Sequence, residues 1–434
     1  MERFIMDDLV RWKNRNDRKP LILLGARQVG KTYILKEFGR REYDNVAYIN
    51  CDNNALVRDL FTPDYNIGRI LLTIGAITGV NIQPGKTLII MDEVQELKRG
   101  LASLKYFCED APQYHVAVAG SLLGLTLHEG DSYPVGKVNT LNMYPMTFEE
   151  FLLARNRKQM VDLLQAQRWD FVKGLRTLYI QHLREYYLVG GMPEAVDKFV
   201  QTNDANLVRE VQNEILAAYE KDISKHAPAE QVMRIGQVWH SIPSQLAKEN
   251  RKFIYGVVKK GARAKDYELA IQWLLDAGLV YKVNRVTTLA MPLKIHEEIS
   301  AFKLFMLDCG LLGAMSLTPP AMLLLPSTDN SGKGDFTENF VCSQMKSLSD
   351  LPVFYYSKDN SQLELDFVVQ ADTAVCPVEV KAEENLQSKS LKTTLSENPD
   401  MHGLRFSMSD YREEGRLTNV PLYGARTFLK ALKQ

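Results

Sequence analysis

The feature that most narrows the fold is an eight-residue run, Gly25-Ala26-Arg27-Gln28-Val29-Gly30-Lys31-Thr32. It satisfies G-x-x-x-x-G-K-[ST] without deviation. A short apolar stretch, Leu21-Ile22-Leu23-Leu24, precedes it, and residues patterned as a helix from Lys31 to Phe38 follow it. Strand, loop and helix therefore stand in the order the motif requires. Glycines let the main chain curl until successive N–H groups face one centre. The helix start adds positive potential at that centre. Such a loop binds phosphate through the whole run from Gly25 to Thr32, with Lys31 reaching the β- and γ-phosphates and Thr32 ligating Mg²⁺.

The surrounding pattern supports that context. Val46–Asn50, Thr87–Met91 and Val116–Ala119 read as buried strands, and Lys137 to Met143 as a further one. Ile67 to Thr78 carries apolar residues at helical spacing. Strands apolar on both faces, alternating with helices, predict an α/β fold with a parallel sheet covered on both sides. The strand Leu88–Met91 runs into Asp92-Glu93. Asp92 is the expected second holder of Mg²⁺, and Glu93 the expected group polarising the attacking water. Gln95 reads either as a hydrogen-bonding group to that water or to the γ-phosphate, or as a solvated turn residue. Ser121, after the next strand, reads either as a γ-phosphate sensor or as a helix N-cap. The guanine-selecting N-K-x-D is absent, so ATP with Mg²⁺ is the expected ligand pair.

Length and patterning divide the 434 residues further. Residues 1–150 form the nucleotide core. Residues 151–226 are helical, an extension or lid, interrupted at Gly190-Gly191 with Pro193 suited to the next helix start. Residues 227–312 show helices and then the alternating Leu279–Val283, which suggests a winged-helix module. After a polar and proline-containing linker, residues 326–434 show a helix at Phe336–Met345. Strands follow at Val353–Tyr356, Leu363–Val369 and Val375–Val380, then a helix near Leu386–Leu395. The 53 basic and 53 acidic residues cancel, so bulk charge points to neither nucleic acid nor membrane. Five cysteines without metal-type pairing fit a cytoplasmic protein with reduced thiols, and the seven histidines make no metal-ligand spacing. The charged start, Met1 to Asp8, lacks a signal-peptide pattern, and Ile70–Ile82 is too short to span a bilayer.

Two local clusters carry further chemistry. Between Lys248 and Lys265 lie seven basic residues against Glu249 alone, a local net charge of +6. Lys252, Lys259, Lys260 and Arg263 there are candidate DNA-phosphate contacts, the alternative being a solvated face or a surface docking on protein. Asp366 on one strand, and Glu379 and Lys381 two apart on the next, fall where a hairpin would join them. Glu338 on the preceding helix adds a carboxylate. Two acids on a divalent metal with a lysine polarising water is an arrangement suited to phosphodiester cleavage, while cross-strand ion pairing is the plainer alternative. Arg99, Arg155 and Arg263 are candidates for an arginine acting on a neighbouring subunit's nucleotide, or plain surface arginines.

The motif from Gly25 to Thr32, with Asp92-Glu93-Val94-Gln95 and Ala119-Gly120-Ser121, resembles the prokaryotic AAA-type ATPases of the additional-strand, catalytic-glutamate division. Tyr144–Phe151 and Gly190-Gly191-Met192-Pro193-Glu194 resemble that family's following segments. Glu364–Val368 and Val378-Glu379-Val380-Lys381 resemble its C-terminal domain of unknown function 4143, which has been compared to the restriction-endonuclease-like PD-(D/E)xK fold. Many members carry Gly-Arg where this chain has Gly136-Lys137, and a point charge does not replace a planar fork. The resemblance implies an ATP-binding, Mg²⁺-dependent ATPase. Its nucleotide state would be coupled to a winged-helix and nuclease-like module acting on DNA. The alternative is a nucleotide-controlled signalling or protein-interaction switch with a catalytically inactive nuclease-like domain. A neighbouring subunit or another protein is a further candidate partner; a membrane is not.

Overall fold

A computed structural model describes residues 1–52, 54–120, 134–248, 250–324, 333–358, 363–384 and 386–433. The chain forms two compact units, one of residues 2–144 with 276–278, the other of residues 145–275 and 279–434 with Met1.

The first unit is built on five strands: β1 (Leu21–Leu24), β2 (Asn45–Asn50), β3 (Thr87–Asp92), β4 (His115–Ala119) and β5 (Asn139–Asn142). Their order is β2-β3-β4-β1-β5, and every neighbouring pair is parallel. Strands β3 and β4 are buried along their whole length, which is why they read as unbroken apolar runs. On one face Ile22, Ile89, Met91 and Val118 pack with Phe61, Ile70, Ile74, Leu104 and Phe107. On the other, helix Lys31–Glu42 comes so close that a Cβ at Gly39 would stand 2.4 Å from the Val46 side chain. The parallel α/β sheet expected from the sequence is present, and β4 lies between the strand leading into the glycine loop and the strand ending in Asp92.

In the second unit, Phe148 to His226 is helical in six segments. A capping box fixes the first start: Glu150 N–H donates to Thr147 Oγ1, and Thr147 N–H donates back to the Glu150 carboxylate. The break at Gly190-Gly191 is held from a distance. Asp308 Oδ2 accepts from Gly191 N at 2.6 Å, and a Cβ at Gly190 would collide with Asp308 Oδ1 at 2.1 Å. Pro193 opens the next helix.

Eight strands form the second sheet, in the order β12-β13-β11-β10-β9-β8-β6-β7. They are β6 (Val280–Val286), β7 (Glu297–Met306), β8 (Val353–Ser357), β9 (Glu364–Ala371), β10 (Ala374–Val380), β11 (Gly403–Ser407), β12 (Arg412–Glu414) and β13 (Leu417–Pro421). Strands β8, β9 and β10 form an antiparallel meander. Helix Lys389–Glu397 then leads to β11, parallel to β10. The hairpin of β6 and β7 corrects an expectation. It does not stand apart as a wing, because β6 pairs in parallel with β8, Arg285 opposite Tyr355. The reason lies in β7, where Ala301 to Met306 are all buried. Six consecutive apolar or buried positions need cover on both faces, which a solvent-facing wing does not provide. Among the described residues, no helix is long and apolar enough to cross a membrane.

Candidate functional site

The glycine loop follows β1, and its shape depends on backbone that side chains disfavour. Gly25 has φ 144° and Gly30 φ 97°, and a Cβ at Gly25 would sit 2.2 Å from the Met143 carbonyl oxygen. Ala26 and Val29 are buried and anchor the loop, while Arg27 and Gln28 face solvent. Lys31 opens the helix and is only 7% exposed. Its Nζ donates to the carbonyls of Gly25 and Ala26, each at 2.8 Å. Burial pulls the Lys31 ammonium down to about 8, against the opposing pull of Glu93 and Asp92. A desolvated cation facing a curl of amides is suited to an anionic phosphate chain.

Thr32 and Asp92 come from elements sixty residues apart, yet Thr32 Oγ1 donates to Asp92 Oδ2 at 2.6 Å. Tyr48 on β2 adds a hydroxyl donor to the same oxygen at 3.3 Å. A hydroxyl and a carboxylate side by side are hard oxygen donors that fit Mg²⁺, which takes few protein ligands and completes its octahedron with phosphate and water. Glu93 adopts a left-handed backbone, φ 53°, just past the strand end. Gln95 Nε2 donates to Glu93 Oε2 at 2.6 Å. Gln95 Oε1 is buried and has no partner among the described residues. Gln95 thus orients the glutamate, a role not among those expected for it. Ser121 lies outside the described residues.

One contributor carried no sequence signal. Arg3, 8% exposed, donates from Nη1 to the Val29 carbonyl at 3.0 Å and from Nη2 to the Tyr144 carbonyl at 2.6 Å. It ties the glycine loop to the chain beyond β5. Neither acceptor is near it in sequence, so no spacing could have revealed it.

The C-terminal carboxylates also meet. The β9–β10 ladder has Phe367 opposite Val378, and Asp366 and Glu379 are the next residues along. Asp366 Oδ2 accepts from Val380 N at 2.7 Å, and Lys381 Nζ donates to Glu379 Oε1 at 2.6 Å. Glu338 on helix Lys333–Lys346 is buried and pairs with Arg251, Nη1 to Oε1 2.8 Å. Burial raises the pKa of both Glu338 and Glu379, and the nearby Asp366 raises each further. Among the described residues, no three His, Cys, Asp or Glu side chains are gathered to hold a metal ion. The metal-binding grouping expected of Glu338, Asp366 and Glu379 is therefore not formed in this arrangement; protein cations face these acids instead.

Three family profiles match the chain. A AAA domain matches residues 17–152 and a domain of unknown function, DUF4143, residues 333–423. The chain thus carries a AAA domain near its start and a DUF4143 domain near its end. Between these two, a domain of unknown function designated DUF8612 matches residues 180–321. No curated protein matches the chain. Similar solved structures include a Walker-type ATPase of Pyrococcus abyssi, 15% identical over 73% of this chain and 95% of that one, TM-score 0.45. The Aeropyrum pernix ORC1 protein in complex with DNA is 13% identical over 74% and 92%, TM-score 0.27. Cdc6p from Pyrobaculum aerophilum is 13% identical over 73% and 90%, TM-score 0.23.

Within this AAA-type chain the remaining candidates divide clearly. Lys252, Lys259, Lys260 and Arg263 are exposed. Lys259 and Lys260 sit between two helices, and Arg263 lies just before helix Ala264–Asp276. Arg251, in the same basic run, turns inward. Arg99 lies over the Tyr65 ring at 4.1 Å and donates to Tyr65 Oη and the Thr62 carbonyl. Arg155 is held by Asn203 and the Phe199 ring. Lys137 pairs with Glu109 at 2.8 Å.

Proposed function

We propose that residues 1–150 bind ATP with Mg²⁺ and hydrolyse it, and that the nucleotide state controls what the C-terminal module contacts. The observation that carries this reading is the 2.6 Å contact of Thr32 Oγ1 with Asp92 Oδ2, beside the buried Lys31 ammonium. The loop amides and Lys31 bind and orient the triphosphate. Thr32 and Asp92 would hold Mg²⁺, which supplies charge neutralisation at the transferring phosphoryl group. Glu93, steadied by Gln95, takes the proton of the attacking water. Changing Lys31 to Ala should abolish binding of a fluorescent ATP analogue. Glu93→Gln should retain binding and slow phosphate release by roughly a hundredfold or more. Turnover unchanged in Glu93→Gln would move the base elsewhere.

For the C-terminal module, the helix, antiparallel meander, helix and parallel strand from Lys333 to Ser407 support a nuclease-like shape. The exposed lysines near 259 supply a basic surface for DNA phosphates. The alternative, a nucleotide-controlled interaction switch with an inactive nuclease-like domain, is favoured by one observation: Glu338 and Glu379 are each paired with a protein cation. Plasmid nicking with Mn²⁺ that is lost in Asp366→Ala and Lys381→Ala would support cleavage; no nicking in any protein would support the switch.

A further inference from the structure

Residues four apart on a helix share a face. On helix Lys31–Glu42 that spacing joins Thr32 to Lys36. Thr32 Oγ1 donates to Asp92 Oδ2 at 2.6 Å, and one turn on, Lys36 Nζ lies 3.5 Å from the centroid of the Tyr48 ring. The strands opposite match this spacing. β2 and β3 run parallel, with Tyr48 opposite Ile90 and Asn50 opposite Asp92. Side chains alternate along a strand, so Tyr48 stands on the same face as Asp92. Its ring carries the hydroxyl forward to Asp92 Oδ2, at 3.3 Å.

The backbone of Asp92 is fixed from both sides. It pairs with Asn50 on β2 and Ala119 on β4, and its carbonyl accepts from Cys51 N at 2.9 Å. What this ladder leaves free is rotation of the carboxylate. Among the described residues, two hydroxyls donate to Oδ2 and none donates to Oδ1. The two donors differ in their other duties. Thr32 is itself a Mg²⁺ ligand in the nucleotide reading, so the metal claims its oxygen. Tyr48 has no such second duty. It stands on a strand, half-buried, with its ring under the Lys36 ammonium in a cation–π contact.

We propose that Tyr48, held under Lys36, is a positioning residue for the Mg²⁺ site: it pins Asp92 Oδ2 and so keeps Oδ1 available to the metal and its water. The proposal rests on the nucleotide reading and adds to it a residue that governs the response to Mg²⁺ but not the grip on the triphosphate. The loop amides and Lys31 carry that grip, and among the described residues Tyr48 hydrogen-bonds to none of them.

The test measures binding of a non-hydrolysable ATP analogue to the full chain, in EDTA and across a Mg²⁺ series, so no turnover is needed. Tyr48→Phe keeps the ring and its place under Lys36 and removes only the hydroxyl. It should match wild type in EDTA, while the gain in affinity on adding Mg²⁺ should shrink roughly fivefold, a modest effect because the bond is long and only partly buried. Lys36→Met, which removes the cation from the ring, should shrink the gain about twofold. Folded Tyr48→Phe protein that gains as much from Mg²⁺ as wild type would overturn the proposal. So would a larger gain, which would make the hydroxyl a competitor of the metal for Asp92. Equal weakening in EDTA and in Mg²⁺ would also overturn it, as the mark of a general structural role. Should Tyr48→Phe not fold, Lys36→Met decides, and an undiminished gain there overturns the proposal. Wild type that binds the analogue but gains nothing from Mg²⁺ would instead sink the Mg²⁺ part of the nucleotide reading, and this proposal with it.

Discussion

Replacing Arg3 with Ala removes two hydrogen bonds from a buried guanidinium, to the carbonyls of Val29 at 3.0 Å and Tyr144 at 2.6 Å. A hydrogen bond from a charged donor contributes roughly 1.5–3 kcal/mol net, and an orphaned buried carbonyl adds to the loss. Water will reach part of the vacated space, so the expected loss is about 3 kcal/mol. For a unit of this size that lowers the melting temperature by about 10 °C. The Val29 carbonyl lies inside the glycine loop, so the loop also becomes less preorganised, and affinity for an ATP analogue should fall about tenfold, or ~1.4 kcal/mol. Arg3→Lys, which can serve one carbonyl at a time, should recover roughly half of the stability. Differential scanning calorimetry and fluorescent-nucleotide titration measure both effects. An Arg3→Ala protein melting within about 2 °C of wild type, with unaltered affinity, would refute the claim that this residue braces the loop.

Two further outcomes concern protons. Lys31 sits at about 8 because burial disfavours its charge, and a bound triphosphate restores it. Above that pH, ATP binding should take up protons and affinity should fall as pH rises; calorimetry in buffers of different ionisation heat that finds no uptake near pH 9 would contradict this assignment. In the second unit, burial raises Asp308 to about 6, and burial with Asp366 raises Glu338 and Glu379 as well. Each acid holds its proton more tightly folded than unfolded, so its contribution is full below the unfolded pKa and is lost as pH climbs through the folded one. Thermal stability of this unit should therefore decline between about pH 5 and pH 8, less so in Glu338→Gln. A melting temperature that rises over that range would show that other groups dominate.

What was legible in the sequence is what short range controls. The glycine loop, the buried strands and the helix break at Gly190-Gly191 are set by local backbone and by runs of apolar residues, and their ranges match the observed elements closely. Asp92 was legible because it ends such a strand, and its meeting with Thr32 follows from β3 lying one strand beyond β4 in the same parallel sheet. Long-range choices were not legible. Nothing in Arg3 or Arg251 distinguishes them from surface arginines, since their acceptors lie 26 to 141 residues away for one and 84 or more for the other. The hairpin of β6 and β7 looked free because β8, its partner, follows a linker of the kind that usually ends a domain. Gln95 could be placed near the site but not on Glu93, because the left-handed backbone at Glu93 that lets their side chains meet has no sequence signature.

The central claim is that the curl from Gly25 to Thr32 binds a triphosphate, with Thr32 and Asp92 holding its Mg²⁺. Isothermal titration of the full chain with a non-hydrolysable ATP analogue, with and without Mg²⁺, tests it most directly. The predicted result is saturable binding that Mg²⁺ strengthens in wild type, weaker binding in Thr32→Ala that Mg²⁺ no longer improves, and no binding in Lys31→Ala. Binding that persists undiminished in Lys31→Ala, or Mg²⁺ enhancement that survives Thr32→Ala intact, would contradict it.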